Sequence, residues 1–191
     1  MNNSSMKNVF KVEEGLCNLP NKVKRITAGC ILINCDNDGL NVALVRNKWS
    51  RKWGFPKGGV EKNESLKVAA ERETLEETGI YVKLENNINS YRINKTTYFI
   101  KILDSKLKMN PRDFNEIIDT RWFNIKNLPN TPDTSTRDIR IFKELQKGSL
   151  KCYLENLEKH FLSKYKSLSY KINNKDNDSF KHKWKNMVKI G

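Results

Sequence analysis

Hydrophobic positions along the first two thirds of the chain alternate as in β-strands. Apolar residues run through 25–34, stop at a polar turn over 36–39 and resume over 42–45, which predicts a hairpin of two strands. Aromatic and β-branched residues cluster again over 98–103 and 120–125, so we expect two further strands there.

A helical pattern separates these two pairs of strands and returns near the end of the chain. The first helix is predicted to begin near Ser65, with Asn63 or Ser65 as its N-cap, and to end at Gly79, a residue suited to a left-handed C-terminal turn. A second helix is predicted over 137–145. A third is indicated over 150–168 by an apolar stripe of Leu150, Tyr153, Leu154, Leu157, Phe161, Tyr165 and Leu168.

These patterns divide the 191 residues into three zones around one domain. Residues 1–24 are polar and broken by Gly15 and Pro20, so we expect an N-terminal arm. Residues 25–148 hold the predicted strands and the first two helices. Residues 149–191 are predicted to form an amphipathic helix followed by a tail rich in Lys and Asn.

Composition adds a strong positive charge to this organisation. Lys and Arg number 36 against 22 acidic residues, which gives a net charge of +14 and predicts a polyanionic partner or substrate. A charge that serves solubility alone is the alternative. No apolar run is long enough to span a bilayer and no secretory signal stands at the N-terminus, so we expect a cytoplasmic protein without a transmembrane segment.

Three carboxylates of the first predicted helix fall on one side of it. Glu73, Glu76 and Glu77 are spaced by three and four residues, and the mutual repulsion of such a cluster favours a cation beside it. Mg²⁺ and Mn²⁺ prefer oxygen ligands of this kind. The alternative is an acidic helix face that is simply solvated.

The loop before this helix favours the metal interpretation. In Phe55–Gly59 two glycines let the backbone approach a ligand closely, and Glu64 adds a further acid at the helix entrance. We therefore expect Lys57 and Gly58 to contact phosphate. Lys57 precedes the glycines, so the loop is not the GxxxxGK[ST] loop of phosphate-binding NTPases.

Loop and helix together carry one long spaced motif. Gly58, Glu64, Arg72, Glu73 and the residues that follow as TLEETGI resemble the Nudix box of nucleoside-diphosphate-linked-moiety hydrolases. All charged positions and both glycines match. The one departure is Thr74, where the family usually has a bulkier aliphatic residue, and it concerns helix packing.

This resemblance implies a Nudix-type α/β/α sandwich with a mixed β-sheet, here with a basic helical extension at the C-terminus. It implies hydrolysis of a pyrophosphate bond with Mg²⁺ or Mn²⁺. By analogy, Glu73, Glu76 and Glu77 would ligate the metal with help from Glu64 and the Gly59 carbonyl. Arg72 would orient the carboxylates.

Three stretches outside the box resemble the catalytic domain of the mRNA-decapping Nudix enzymes: 53–58, 91–94 and 110–129. In that branch a glutamate before the last core strand is a general base, and the matching residue is Glu116. The alternative for Glu116 is a surface acid in a polar loop. The resemblance implies capped RNA as substrate and 7-methyl-GDP as product.

The segment PKGGVEK at 56–62 is instead very similar to diphosphoinositol polyphosphate and dinucleoside polyphosphate hydrolases. Inositol pyrophosphates and dinucleoside polyphosphates therefore stay open as substrates. A long RNA needs a basic track with aromatic partners, which the tail after residue 150 offers; packing on the core is the alternative. We count Arg51 and Trp53 among the substrate contacts; the alternative for Trp49 and Trp53 is packing in or on the core, the more common role of a Trp beside a strand.

Overall fold

The computed structural model describes residues 26–163 of the chain. The predicted N-terminal arm and the tail beyond residue 163, including Tyr165 and Leu168, lie outside the described residues. No helix among the described residues is long and apolar enough to cross a membrane.

Within the described residues, seven strands form one mixed sheet. In chain order they are β1 (Thr27–Asp36), β2 (Gly39–Asn47), β3 (Trp53–Gly54), β4 (Lys57–Gly59), β5 (Ser90–Ile93), β6 (Thr96–Leu103) and β7 (Ile117–Asn124). The predicted hairpin is confirmed, because β1 and β2 pair antiparallel around a tight turn, with Asp36 opposite Gly39. The strands predicted over 98–103 and 120–125 are β6 and β7, each beginning a few residues earlier than expected.

β1 is the strand that organises the sheet. It pairs parallel with β6 along one edge and antiparallel with both β2 and β4 along the other. β2 continues the sheet to β3 and β7, and β6 continues it to β5. β4 therefore lies against the first residues of β1, in the register Ala28 opposite Gly58, which anchors the glycine loop to the centre of the sheet.

Helices cover both faces of this sheet. The helix α1 spans Leu66–Thr78, a short 3-10 turn follows β7 at Ile125–Asn127, α2 spans Arg137–Lys147, and residues 151–163, here α3, are also helical. Both predicted ends of α1 are confirmed. Ser65 is the N-cap, its hydroxyl accepting a hydrogen bond from the Val68 amide, and Gly79 adopts φ 74°, which favours glycine.

Side chains of β1 alternate between two hydrophobic cores, as the pleat of a strand requires. Ala28, Cys30 and Leu32 face α1, while Ile31 and Ile33 face α2 and α3. The stripe predicted for the third helix packs in the second of these cores as far as Phe161. The architecture is the predicted α/β/α sandwich around a mixed sheet.

Candidate active site

Small side chains bring α1 close to the sheet. Ala69 and Ala70 are fully buried against the β1 residues Ala28 and Cys30, so the helix backbone lies near the glycine loop that β1 also holds. Thr74 is fully buried too, and its hydroxyl donates to the Ala70 carbonyl at 2.6 Å. The hydroxyl that departs from the family pattern is thus satisfied inside the helix, and α1 packs without a bulky residue there.

The glycine loop and α1 contact each other at two points. The Lys57 amide donates a 2.9 Å hydrogen bond to the Glu77 carboxylate. One residue later, the Glu73 carboxylate lies directly against the Cα of Gly58, in space that a Cβ atom would occupy. Glycine at position 58 therefore makes room for a carboxylate of the helix.

Arg72 forms hydrogen bonds with the other acidic groups of the motif. Its guanidinium donates to both oxygens of Glu64 at 2.9 and 3.0 Å, to Glu73 at 2.8 Å, to Glu76 at 3.1 Å and to the Gly59 carbonyl at 2.9 Å. These contacts raise the pKa of Arg72 above its ordinary value, with the Glu64 hydrogen bonds as the largest cause, and they lower the pKa of Glu64. The arginine thus contacts Glu64, Glu73 and Glu76 at once, and its role in orienting them for a metal stays a prediction.

Glu77 is the buried acid of the cluster. Burial raises the pKa of its carboxyl from 4.5 to about 8; the Lys57 amide lowers it, and the nearby charges of Glu73 and Glu116 raise it further. A buried carboxylate with acidic neighbours is stabilised by a bound cation.

The carboxyl of Glu73 also has a raised pKa, and it is less buried than the carboxyl of Glu77. Burial raises the pKa of its carboxyl, Arg72 opposes that shift, and the charges of Glu76 and Glu116 add to it. The negative charge of Glu116 therefore raises the pKa of both Glu73 and Glu77. The structure brings together the helix carboxylates and the acid that sequence analysis selected as a base.

Hydrogen bonds donated by backbone amides hold the segment of Glu116 against the C-terminal end of α1. The carbonyls at the C-terminal end of α1 lack helical partners, and the Asn110, Arg112 and Asp113 amides donate to them over 2.7–3.0 Å. The Asp113 carboxylate then accepts from the Glu116 amide at 3.1 Å. The segment that caps α1 thus also positions Glu116, which is exposed to solvent immediately before β7.

The expected substrate contacts lie in different surroundings. Lys57 is half-buried in the glycine loop, and Arg51 is exposed with φ 59° in the loop before β3. Trp53 is 9% exposed, packs edge-on against Phe123 at 4.9 Å and has the Arg121 guanidinium 5.6 Å from its ring centre. Because the ring is buried among protein groups, the core interpretation matches the position of Trp53, and base stacking does not.

The acidic cluster is chemically suited to a hard divalent cation. Its donors are all oxygens: the Glu64, Glu73, Glu76 and Glu77 carboxylates and the Gly59 carbonyl. Among residues 26–163, no three His, Cys, Asp or Glu side chains stand in a ligating arrangement, and Arg72 contacts three of these carboxylates and the Gly59 carbonyl. The donor set and the burial of Glu77 fit a cation.

Phe114 is exposed in the polar loop beside Glu116, and sequence analysis did not select it. The sequence did contain a signal for an exposed aromatic side chain: Phe114 stands between the polar residues Asp113 and Asn115. A hydrophobic residue in a short polar loop has few apolar neighbours to pack against.

Family comparison agrees with the geometry. The NUDIX domain model matches residues 23–145, about two thirds of the chain. The chain therefore belongs to the Nudix family, whose members hydrolyse pyrophosphate bonds and generally use divalent metal ions.

The chain is similar to curated relatives over part of its length. It is 35% identical to the m7GpppN-mRNA hydrolase dcap-2 of Caenorhabditis elegans over 54% of this chain and 14% of the relative. It is 34% identical to the mRNA decapping complex subunit 2 of Schizosaccharomyces pombe over 46% of this chain and 13% of the relative. The chain thus spans about one seventh of the length of either relative.

A solved structure supports the fold. The NUDIX domain of Shewanella oneidensis NrtR, solved with ADP ribose, superposes with a TM-score of 0.52 at 17% identity over 68% of this chain and 90% of that domain.

Proposed function

We propose that the chain is a metal-dependent pyrophosphohydrolase that removes the cap from RNA and releases 7-methyl-GDP. The observation that carries the hydrolase proposal is the contact of two helix carboxylates with the glycine loop: Glu77 accepts from the Lys57 amide at 2.9 Å, and Glu73 lies against Gly58. Residues 25–148 form the hydrolase domain in this proposal.

Glu73, Glu76 and Glu77 hold the cation, with Glu64 and the Gly59 carbonyl in support. Mg²⁺ or Mn²⁺ bound there would neutralise charge on the phosphate oxygens and lower the pKa of a bound water. Arg72 keeps Glu64, Glu73 and Glu76 oriented through its three ion pairs.

The substrate polyphosphate lies along the glycine loop, where Gly58 lets the backbone approach it and Lys57 offers a positive charge. Glu116 accepts the proton of the attacking water, because its carboxylate is exposed immediately before β7 and its backbone is held by the Asp113 turn that contacts the end of α1. The water oxygen forms a bond to phosphorus as the bridging P–O bond breaks, and the leaving phosphate takes the electron pair.

Capped RNA is favoured by the similarity to two decapping proteins and by the stretch 110–129, which positions Glu116. The second candidate is a diphosphoinositol or dinucleoside polyphosphate, which the loop segment PKGGVEK favours. In the capped-RNA proposal, the basic residues of 149–191 contact the RNA backbone beyond the hydrolase domain.

A turnover assay with Mg²⁺ or Mn²⁺ separates these substrates. Capped RNA, the free cap dinucleotide, a diphosphoinositol polyphosphate and a diadenosine polyphosphate are offered side by side, and the products are identified. We expect 7-methyl-GDP from capped RNA and little from the free cap. Preference for either small polyphosphate would support the second candidate, and absence of turnover on all four would contradict the hydrolase proposal.

A further inference from the structure

Two large aromatic side chains are exposed near Glu116, one in its own loop and one in the loop that is hydrogen-bonded to its backbone. Trp49 is 78% exposed in the loop between β2 and β3, and Phe114 is 68% exposed in the loop before β7. Exposed aromatic rings next to a proposed active site are surfaces on which a flat apolar ligand can stack.

The loop that carries Trp49 is fixed by its own hydrogen bonds. The Asn47 side-chain oxygen accepts from the Trp49 amide at 3.0 Å and from the Ser50 amide at 2.9 Å. The Asn47 backbone pairs with Lys52 and Arg51 across the loop. Trp49 is therefore exposed on a turn that is already held by hydrogen bonds. Binding of a ligand to this ring would lose little free energy to ordering of the loop.

A backbone hydrogen bond joins this loop to the segment of Glu116. The Lys48 amide donates to the Glu116 carbonyl at 2.7 Å, one residue before Trp49. On the other side, the Asp113 carboxylate accepts from the Asn115 amide at 2.9 Å, which fixes the turn that carries Phe114. Both aromatic residues are thus within two positions of the pair Lys48 and Glu116.

Positive charge accompanies the two rings. The Lys48 ammonium lies 5.8 Å from the centre of the Trp49 ring, and Arg51 and Arg112 are exposed in the same two loops. An aromatic surface bordered by cations matches a nucleotide, which has a flat base and a negative phosphate chain.

We propose that Trp49 and Phe114 form a nucleobase-binding subsite, in which a substrate base stacks on Trp49 and contacts Phe114. This inference rests on the proposed function, because it requires the polyphosphate of the same substrate to lie along the glycine loop. It narrows the substrate to the nucleotide class. Diphosphoinositol polyphosphates have no flat base and gain nothing from the two rings.

Equilibrium binding tests the subsite without turnover. Affinities of GDP, 7-methyl-GDP and inorganic pyrophosphate are measured calorimetrically for the full chain and for Trp49→Ala, Trp49→Phe and Phe114→Ala. Tyr81→Ala is the matched control, since Tyr81 is 69% exposed and belongs to neither loop.

We expect the two nucleotides to bind the unaltered chain more tightly than pyrophosphate does. Trp49→Ala weakens nucleotide binding about 5- to 150-fold, the range that loss of one base stack produces, and leaves pyrophosphate binding unchanged. Phe114→Ala gives a smaller loss in the same direction. Trp49→Phe keeps most of the affinity, and Tyr81→Ala keeps all of it.

Equal affinity of Trp49→Ala and the unaltered chain for both nucleotides would overturn the subsite, as would equal loss of pyrophosphate binding. Hydrolysis by the unaltered chain is scored separately with the four substrates named above. An inactive chain that still loses nucleotide binding in Trp49→Ala contradicts the proposed function and supports the subsite, so the two failures are distinguishable.

Discussion

The helices α1 and α2 occupy opposite faces of the same sheet, and they are buried for different reasons. α2 inserts Ile139 and Phe142, both fully buried, into a hydrophobic core. α1 buries two alanines and then polar residues, among them Thr74 and Glu77.

The difference separates a helix that is held by hydrophobic packing from one that is held by hydrogen bonds. A helix that contacts its neighbours through alanines gains little from hydrophobic burial. α1 is held instead by hydrogen bonds to the glycine loop and to the 110–113 segment, and it keeps one acid buried at a cost in stability. Loss of function and loss of stability should therefore separate between the two helices.

The largest expected effect is on catalysis. Glu77→Gln keeps the acceptor for the Lys57 amide and removes the charge, so we expect turnover to fall on the order of 100-fold or more while the thermal midpoint stays equal or rises. Steady-state kinetics and thermal unfolding check both parts. Glu144→Gln, at an exposed position of α2, is the control that retains activity. Undiminished turnover in Glu77→Gln would remove Glu77 from the metal site.

The opposite behaviour is expected in α2. Ile139→Ala leaves a cavity in the core and lowers the free energy of unfolding by about 2–5 kcal/mol, with turnover per folded molecule unchanged. Denaturant unfolding measures the first quantity and initial rates normalised to folded protein measure the second. Glu144→Ala should stay within about 0.5 kcal/mol of the unaltered chain. A large drop in specific activity for Ile139→Ala would mean that the two faces are not separable.

The pH dependence of stability sharpens the comparison further. The pKa of Glu77 is raised to about 8, so its contribution to stability is fully present below pH 4.5 and is lost as pH rises through about 8. Relative to Glu77→Gln, the metal-free chain should lose about 2–5 kcal/mol over that interval. Denaturant unfolding at several pH values without divalent ions measures the loss, and added Mg²⁺ or Mn²⁺ should reverse it. Parallel pH profiles for the two proteins would contradict the burial of a charged Glu77.

The smallest of these effects concerns the glycine loop. Gly58→Ala places a methyl group where the Glu73 carboxylate lies, so we expect turnover to fall about tenfold as Glu73 is displaced. Gly148→Ala is the matched control, because its added Cβ meets nothing closer than the Glu144 carbonyl at 3.9 Å. Equal activity of the two alanine variants would show that Glu73 has another position compatible with catalysis.

Local pattern was sufficient for the long elements of the fold. The hairpin of β1 and β2, both ends of α1 and the start of α2 follow from alternation, capping residues and helical spacing. β3, β4 and β5 were not predicted, because two to four residues are too few to display a period. The parallel pairing of β1 with β6 joins residues about 70 positions apart, and no local pattern specifies such a pair.

The site shows the same division between local and distant information. Helical spacing predicts a shared face for Glu73 and Glu76, and both carboxylates are found on the Arg72 guanidinium, whose role only the family resemblance indicated. The burial of Glu77 depends on the loop packed over it, and the exposure of Phe114 depends on the segment that caps α1. Both depend on tertiary contacts, which the spacing of residues in one helix does not encode.

Metal binding by the α1 cluster is the central claim, and Mn²⁺ titration followed by electron paramagnetic resonance tests it without any substrate. The unaltered chain should bind Mn²⁺, Mg²⁺ should compete for the same site, and Glu73→Gln and Glu77→Gln should each weaken binding at least about tenfold. Glu144→Gln should bind as the unaltered chain does. Equal Mn²⁺ affinity in all four proteins would contradict the account.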